Sequence, residues 1–357
     1  MRLLVALCLS LAAPAAACAA DVIAFGADEK ARILAQGPWP PKPRRDPSNR
    51  VSGKPEAIAL GERLFFEPRL SGTGSVLCAT CHAPFRAFQD GRARGFGLEE
   101  GDRNTPSLIN VGLYRWYGWD GAHDSLWAQS VRPMLDPREM RATPAHIATV
   151  LRSQFAADYA KAFGRPVPGD DEEAMIDAAK ALAAYQETLV SGRAPFDDFR
   201  DALEKNDAAG MRRYPMAAQR GLAIYVGKGN CTTCHVGPQF SNGGFAGAGT
   251  KGRLDAGRLE GIKKLKSDPY NLLGRFNDDA TRGNAAGTKQ LEPRQRNHGE
   301  FRVPGLRNVA LTAPYMHDGS VATLREAVKH SAPDLTPRES EDLVVFLQSL
   351  TDSSQLR

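Results

Sequence analysis

Two short cysteine–histidine motifs carry the most distinctive chemistry of this sequence. The pattern C-x-x-C-H occurs once from Cys78 to His82 and once from Cys231 to His235. Two thiols at this spacing can each form a thioether bond to a vinyl group of a porphyrin, and the adjacent histidine can then bind the iron. We therefore expect two covalently bound c-type haems. The attachment residues would be Cys78, Cys81, Cys231 and Cys234, with His82 and His235 as proximal iron ligands.

Paired cysteines also occur in zinc ribbons and in thioredoxin-like redox sites. A zinc ribbon needs both pairs within one small module, whereas Cys81 and Cys231 lie far apart in this chain. A redox dithiol has no need of a histidine after each pair. Haem attachment is the interpretation that accounts for both motifs.

The N terminus has the pattern of a secretory signal. An apolar stretch is followed by a run of small residues that ends at Ala20. This order predicts a signal peptide over residues 1–20, with cleavage near Ala19 or Ala20. A lipoprotein modified at Cys18 is the alternative. Export together with covalent haem attachment predicts a protein of the periplasm.

Composition and charge exclude several functional classes. The 357 residues carry a formal net charge of +5, with both signs dispersed along the chain. No basic block therefore indicates binding to nucleic acid or to an anionic membrane surface. No apolar run after the N-terminal segment approaches the length of a membrane span. We expect neither a nucleic-acid partner nor a transmembrane segment.

The chain is longer than one hydrophobic core usually supports, and the two motifs divide it. We predict a proline-rich N-terminal arm over residues 21–50 and two domains over residues 51–190 and 191–357, each with one motif. A weak internal repeat agrees with this division. Gly61 and Gly221 each open a similar apolar segment ahead of a motif.

The predicted fold class is mainly α, with long irregular loops. The alanine-rich segment from Asp170 to Leu189 predicts a helix that joins the two halves. Thr336 to Glu339 form a capping box with proline at the first helical position, which predicts another helix start. The glycine- and proline-rich stretches 237–261 and 280–299 are predicted to be loops, and no segment shows convincing β-alternation.

Further strings accompany the two motifs in a fixed order along the chain. They are Leu64-Phe-Phe-Glu-Pro-Arg-Leu-Ser71, Arg103-Asn-Thr-Pro-Ser-Leu108, Trp119-Asp-Gly121, Phe301-Arg-Val-Pro-Gly-Leu-Arg-Asn308 and Pro314-Tyr-Met-His-Asp-Gly319. Together they resemble the bacterial di-haem cytochrome c peroxidase and MauG superfamily, from about Ala57 to Leu350. The resemblance implies two facing cytochrome-c-like domains. Peroxide would be cleaved at the N-terminal haem, and the C-terminal haem would pass electrons.

The resemblance also implies roles for residues beside the haems. Trp119 would lie between the two haems, where an aromatic side chain of the domain interface can also conduct electrons. Gln129, Pro133 and Glu139 match the spacings of the family's distal pocket. Gln129 would orient the peroxide and Glu139 would move a proton between its oxygens. Considered alone, Glu139 could instead begin a helix, with its carboxylate near the positive end.

Two departures from an ordinary family peroxidase concern the distal side of each iron. Many members have a histidine between the first motif and the R-N-x-P string, but residues 83–122 contain none. The first iron is therefore expected to be open to peroxide, as in MauG. At the second haem, the family's distal Met or Tyr corresponds to Ser331. The neighbouring His330 is the candidate iron ligand; alternatively it flanks the haem edge, and the iron is open or bound to water.

The resemblance places a calcium ion between the domains. Its ligands would be Asn104 and the backbone carbonyl groups of Thr312 and Pro314. Oxygen ligands of this kind suit Ca²⁺.

Two functions compete on this basis. In the first, a MauG-like enzyme, in a branch that includes MbnH-like proteins, reacts with hydrogen peroxide and stores two oxidising equivalents as a high-valent di-haem state. It then oxidises a residue, by analogy a tryptophan, of a secreted partner protein, which is a post-translational modification. In the second, a cytochrome c peroxidase reduces hydrogen peroxide with electrons from a small cytochrome or cupredoxin. An electron-transfer cytochrome would leave Gln129 and Glu139 without a task. The open first haem and the missing methionine favour the MauG-like function.

Overall fold

The structure, a computed structural model, describes residues 22–247, 249 and 255–352, and the predicted signal peptide lies outside them. The α-helices are α1 Ala27–Leu34, α2 Pro55–Phe65, α3 Cys78–Cys81, α4 Leu126–Leu135, α5 Pro144–Gln154, α6 Ala156–Phe163, α7 Asp171–Gln186, α8 Pro195–Glu204, α9 Ala208–Arg212, α10 Met216–Val226, α11 Arg258–Ser267, α12 Ala286–Gln290, α13 Leu324–Ser331 and α14 Pro337–Gln348. Two short antiparallel strands, β1 Phe245–Gly247 and β2 Glu300–Arg302, pair with each other. The prediction of a mainly α fold is confirmed. Within the described ranges no helix is both long and apolar enough to cross a membrane.

Two helix crossings repeat each other in the two halves of the chain. α2 packs against α7, and α10 packs against α14. A Cβ atom at Gly61 of α2 would lie 2.0 Å from the carbonyl oxygen of Ala181, and one at Gly221 of α10 would lie 2.0 Å from that of Asp342. Only glycine lets the backbones approach so closely. The weak repeat in the sequence therefore marks the same close crossing in both halves.

Buried apolar side chains form two hydrophobic cores. The first core includes Leu60, Leu64, Phe65, Trp127, Leu151, Tyr159, Met175 and Leu182. The second includes Phe196, Phe199, Leu222, Tyr225, Phe240 and Phe346. Most of the first core comes from residues up to the end of α7, and most of the second comes from α8 onward, so the chain passes from one core to the other near residue 190.

Two segments pack on the core of the opposite half. The N-terminal arm contains α1, and its Ile33 is fully buried in the second core. The segment after α11 returns to the first half, where Leu272 and Ala285 join the first core. Lys180 of α7 holds this returning segment, because its buried ammonium lies 2.6 Å from Oδ2 of Asp278. The two halves are thus interlocked by contacts far apart in sequence.

The predicted helix starts at Asp170 and at Thr336 are confirmed, although α7 ends at Gln186 rather than at Leu189. The side chain of Asp170 accepts hydrogen bonds from the backbone N–H groups of Glu172 and Glu173 at the start of α7. Thr336 and Glu339 form a reciprocal capping box at the start of α14. These signals are local, so they can be read from a few neighbouring residues.

The loop predictions were wrong in part. α11 begins inside the stretch 237–261, and α12 lies inside the stretch 280–299. Ile262 and Leu265 of α11 are buried, so packing against the rest of the protein stabilises a helix whose glycine-rich surroundings predicted none. The strand β1 also lies in the first of these stretches.

Candidate functional site

The first C-x-x-C-H motif lies on the short helix α3, and His82 follows it. His82 Nδ1 lies 3.0 Å from the carbonyl oxygen of Phe88. A carbonyl can only accept, so Nδ1 carries the proton and Nε2 is left as the acceptor that can bind a metal. Burial lowers the pKa of His82, which favours the neutral imidazole needed for iron binding.

The second motif repeats this arrangement. His235 Nδ1 lies 3.0 Å from the carbonyl oxygen of Phe240, and burial lowers the pKa of His235 as well. Phe88 and Phe240 both have left-handed backbones, with φ of 55° and 56°. The sequence did not indicate these two residues, because the acceptor is a backbone atom and a positive φ at phenylalanine leaves no signal in the residue types.

The four cysteines of the two motifs are all free of disulfide bonds. Burial raises the pKa of Cys78 and of Cys81 to about 12, and that of Cys231 to about 11. These three thiols are therefore protonated near neutral pH. All four remain available for thioether bonds.

A cavity of about 580 Å³ adjoins the second motif, within the range of about 300–1,000 Å³ typical of sites for small ligands and cofactors. Cys231, Cys234 and His235 line one part of its wall. Trp119 and residues 104–107, 109 and 110, which belong to the first half, line another part. The cavity therefore lies where the two halves meet.

Trp119 is held at this wall by backbone groups. Its indole N–H donates to the carbonyl oxygen of Asn104 at 2.8 Å, and the backbone N–H of Arg302 donates to the Trp119 carbonyl oxygen at 2.8 Å. One bond comes from the first half and the other from the second. Trp119 is thus fixed at the boundary of the halves; its position between two haems stays a prediction.

The residues predicted to form the distal pocket lie on α4 and in the turn that follows it. Gln129 and Pro133 are on α4, and Oε1 of Gln129 is buried without a hydrogen-bond partner. Glu139 lies in a turn rather than at a helix start, so the alternative that it begins a helix is wrong. Burial chiefly sets the pKa shifts of Cys81 and His82, and the negative charge of Glu139 acts on both. The structure thus brings Glu139 close to the first motif.

The cavity beside the second motif contains several groups that could bind an iron. His330 and Ser331, at the end of α13, line the cavity together with His235. Tyr315 and Met316 line it as well. The structure thus brings His330 to the predicted site, and its ligation of iron stays a prediction.

The three residues predicted to bind calcium lie in the same wall. Asn104, Thr312 and Pro314 all line the cavity, and Asn104 Nδ2 donates to the carbonyl oxygen of Arg92 at 2.9 Å. The described residues contain no cluster of three or more His, Cys, Asp or Glu side chains that could hold a metal. A calcium site here would depend on amide and carbonyl oxygens, and it stays a prediction.

Comparison with known proteins decides the family. Residues 55–205 match the family model described as di-haem cytochrome c peroxidase. The methylamine utilization protein MauG of Methylorubrum extorquens is 33% identical over 327 residues, which cover 87% of this chain and 81% of that protein. This chain belongs to the di-haem cytochrome c peroxidase and MauG family. It is therefore a haem-dependent oxidoreductase, and its family implies two c-type haems.

Other relatives carry both kinds of name found in this family. The cytochrome-c peroxidase IdrP1 of Denitromonas iodatirespirans is 33% identical over 373 residues, 96% of this chain and 93% of that protein. The crystal structure of a MauG-like protein associated with microbial copper homeostasis is 28% identical, with a TM-score of 0.67 over 90% of this chain and 97% of that one. These similarities show the family. Relatives named as peroxidases and relatives named MauG have similar sequence identities to this chain.

The residues present fit the two haems of the family. Each motif offers two unpaired thiols and an imidazole whose Nδ1 is already used, so that Nε2 remains for iron. The second motif also adjoins a cavity of suitable size. Two buried polar atoms without partners, Arg302 Nη1 and His317 Nδ1, belong to residues in its wall. Such atoms are expected where a polar ligand normally supplies the missing partner.

Proposed function

We propose that this enzyme uses hydrogen peroxide to oxidise an amino-acid residue, a tryptophan, of a secreted partner protein in the periplasm. The observation that carries the proposal is the absence of histidine from residues 83–122, where many family peroxidases have a second ligand for the first haem. A first iron bound only by His82 would be open to peroxide without prior reduction.

Two other histidines of the first half form hydrogen bonds away from the first motif. His123 Nδ1 lies 3.1 Å from Oδ2 of Asp268, and His146 Nε2 lies 2.8 Å from the carbonyl oxygen of Arg69. Neither bond involves a residue of the segment 83–122.

The haems, when bound, supply the redox chemistry and take two oxidising equivalents from peroxide. The protein supplies orientation and proton transfer. The free acceptor of Gln129 can orient a peroxide O–H group, and the carboxylate of Glu139 can take a proton from one oxygen and return it to the other. Arg132, 2.6 Å from Glu139, would hold that carboxylate in place until the proton arrives.

Trp119 is the group that would join the two haem sites. Its position in the wall of the cavity beside the second motif, fixed by bonds from both halves, suits an aromatic bridge for electrons. Sharing both oxidising equivalents between two haems would keep them in the enzyme until a partner protein docks. Electrons then pass from the partner residue to the enzyme across the contact between the two protein surfaces. The partner residue therefore does not need to enter a pocket.

The test is electron paramagnetic resonance and absorption spectroscopy of the oxidised protein, before and after one equivalent of peroxide. We expect one high-spin and one low-spin haem, and a direct reaction that gives a long-lived oxidised state. Two low-spin haems that stay inert until one is reduced would overturn the proposal.

A matched pair of variants tests the bridge. Trp119→Phe should shorten the lifetime of the oxidised state, because the second haem can no longer share it. Trp116→Phe is the control, since Trp116 is a nearby tryptophan that stacks on Arg258. Equal lifetimes in both variants would argue against Trp119 as the bridge.

A cytochrome c peroxidase is the second candidate function. The similarity to the peroxidase IdrP1, equal in identity to that of the Methylorubrum MauG, favours it. The discriminating measurement is steady-state peroxide reduction with a reduced small cytochrome or cupredoxin. Rapid turnover with either donor would support the peroxidase, whereas slow turnover beside a stable oxidised state supports partner oxidation.

A further inference from the structure

Arg302 is a buried cation without a carboxylate partner. The residue is 6% exposed and lies at the end of β2. Its Nε donates to the carbonyl oxygen of Gly118 at 3.2 Å, while Nη1 is buried with no hydrogen-bond partner. No acidic side chain among the described residues forms an ion pair with it. An uncompensated charge in this position is costly unless a ligand completes it.

A neighbouring arginine shows what a completed site in this protein looks like. Arg307 is also buried and also lines the cavity. Both of its terminal nitrogens bond to the carboxylate of Asp197, at 2.8 and 2.9 Å. Arg302 is buried in a similar way but has, in the part of the chain that the structure describes, no anionic acceptor with two oxygen atoms.

The surroundings of Arg302 show where that acceptor would come from. Arg302 lines the cavity that adjoins the second motif. Its guanidinium lies 3.9 Å from the centre of the Tyr114 ring and 6.0 Å from that of Trp119. Aromatic faces cover parts of the guanidinium, so a ligand that completes it must come from the cavity. His317, whose buried Nδ1 also lacks a partner, lines the same cavity and again indicates a polar ligand there.

We propose that Arg302 binds a propionate of the second haem and thereby holds a paired charge beside Trp119. A haem brings carboxylates on its propionate arms, and a guanidinium binds a carboxylate through two parallel N–H···O bonds. The guanidinium and the propionate together carry no net charge, so Trp119 lies beside a neutral pair. An unpaired guanidinium at this place would make loss of an electron from the indole harder. Arg302 is then a positioning residue. Its role is the same whether the enzyme oxidises a partner or reduces peroxide, so it stands apart from the function proposed above.

The midpoint potential of the second haem tests this assignment. A cation beside the haem favours the ferrous form, which carries one positive charge fewer than the ferric form. Arg302→Gln should therefore lower the midpoint potential of the second haem and leave that of the first unchanged. Arg302→Lys keeps the charge but loses the two-point contact, so its potential should fall by less.

Arg258→Gln is the matched control. Arg258 is 3% exposed and stacks on aromatic rings, as Arg302 does, but it donates to the carbonyl oxygens of Asp120 and Gly121. Arg258→Gln should leave the midpoint potential of the second haem at its wild-type value. An unchanged potential in Arg302→Gln, or an equal fall in Arg302→Gln and Arg258→Gln, would overturn the proposal.

A vibrational measurement covers the case in which Arg302→Gln fails to take up haem. Resonance Raman spectra of the wild-type second haem should contain a propionate bending mode at the high frequency of a strongly hydrogen-bonded carboxylate. In Arg302→Lys that mode should move to lower frequency. A wild-type spectrum without such a mode, or a mode that Arg302→Lys leaves unmoved, would show that the propionate has no bond to Arg302.

Discussion

Arg132 and Glu139 form an ion pair in which Nη1 of the arginine lies 2.6 Å from Oε1 of the glutamate. The pair lies where α4 passes into the turn beside the first haem motif. The glutamate side chain is 28% exposed, so its carboxylate has access to water and also approaches the site of His82. Under the proposed function, a group placed in this way would exchange protons with solvent and with a bound peroxide.

Replacing Glu139 by Gln should leave both haems attached and slow the reaction with peroxide by about 10²-fold or more, as expected for loss of a general acid–base group. Stopped-flow absorption after mixing with peroxide measures the rate. Glu99→Gln is the control, because Glu99 forms a similar ion pair with Arg141 at a more exposed place. A rate equal to that of the control would remove Glu139 from the mechanism.

Replacing His330 by Ala should change the low-spin ferric spectrum of the second haem if His330 binds its iron, because the replacement removes a strong-field ligand. Electron paramagnetic resonance at low temperature reports this change directly. His298→Ala is a suitable comparison, since His298 is exposed and does not line the cavity beside the second motif. An unaltered spectrum would assign the position to Tyr315, Met316, water or no ligand.

Glu187 should make the protein less stable as the pH rises. Burial raises its pKa from 4.5 to about 7, although Ser52 donates a hydrogen bond to it. The folded state therefore holds a proton that the unfolded state releases above about pH 4.5. The cost of ionisation is absent below that pH, grows as the pH rises to about 7, and is complete above it.

Glu187→Gln removes this cost while keeping an acceptor for Ser52. We expect the variant to be more stable than the wild type at about pH 8, by about 1–3 kcal/mol, and no more stable at about pH 4. Urea unfolding at both pH values measures the difference. Glu292→Gln, at an exposed site, should show no such gain; a gain at both pH values would point to a cause other than ionisation.

Alanine at Gly61 or Gly221 should open the helix crossing of its own half. The new Cβ would lie 2.0 Å from a backbone oxygen of the opposing helix, so the helices must separate, at a cost of about 1–3 kcal/mol or more. Thermal unfolding of the haem-loaded protein measures the loss. Gly169→Ala is the control because a Cβ there meets nothing within 4 Å. A melting temperature as high as that of the control would mean that the crossing relaxes freely.

Local signals made part of this structure predictable. Asp170 and Thr336 cap the first turns of α7 and α14, so a few neighbouring residues predict where these helices begin. Each C-x-x-C-H motif likewise predicts haem attachment from its own residues. The carbonyl groups that orient His82 and His235 could not be predicted in this way. They depend on backbone conformation at Phe88 and Phe240, which residue identity hardly constrains.

Contacts between segments far apart in the sequence could not be predicted either. Nothing near Leu272 or Ala285 indicates that they pack in the core of the first half. The unpaired charge of Arg302 is equally invisible in the sequence, because it depends on which carboxylates the fold leaves out of reach. Such features become visible only when the whole chain is folded.

The return of Leu272 and Ala285 to the first core also bears on the order in which this protein matures. The first C-x-x-C-H motif is synthesised long before Leu272 and Ala285, so the core around it stays incomplete until that segment has followed. The thiols of Cys78 and Cys81 therefore emerge on a chain that has not reached its final packing. Under the predicted covalent attachment of haem, this interval would leave both thiols accessible before the fold closes over the first motif.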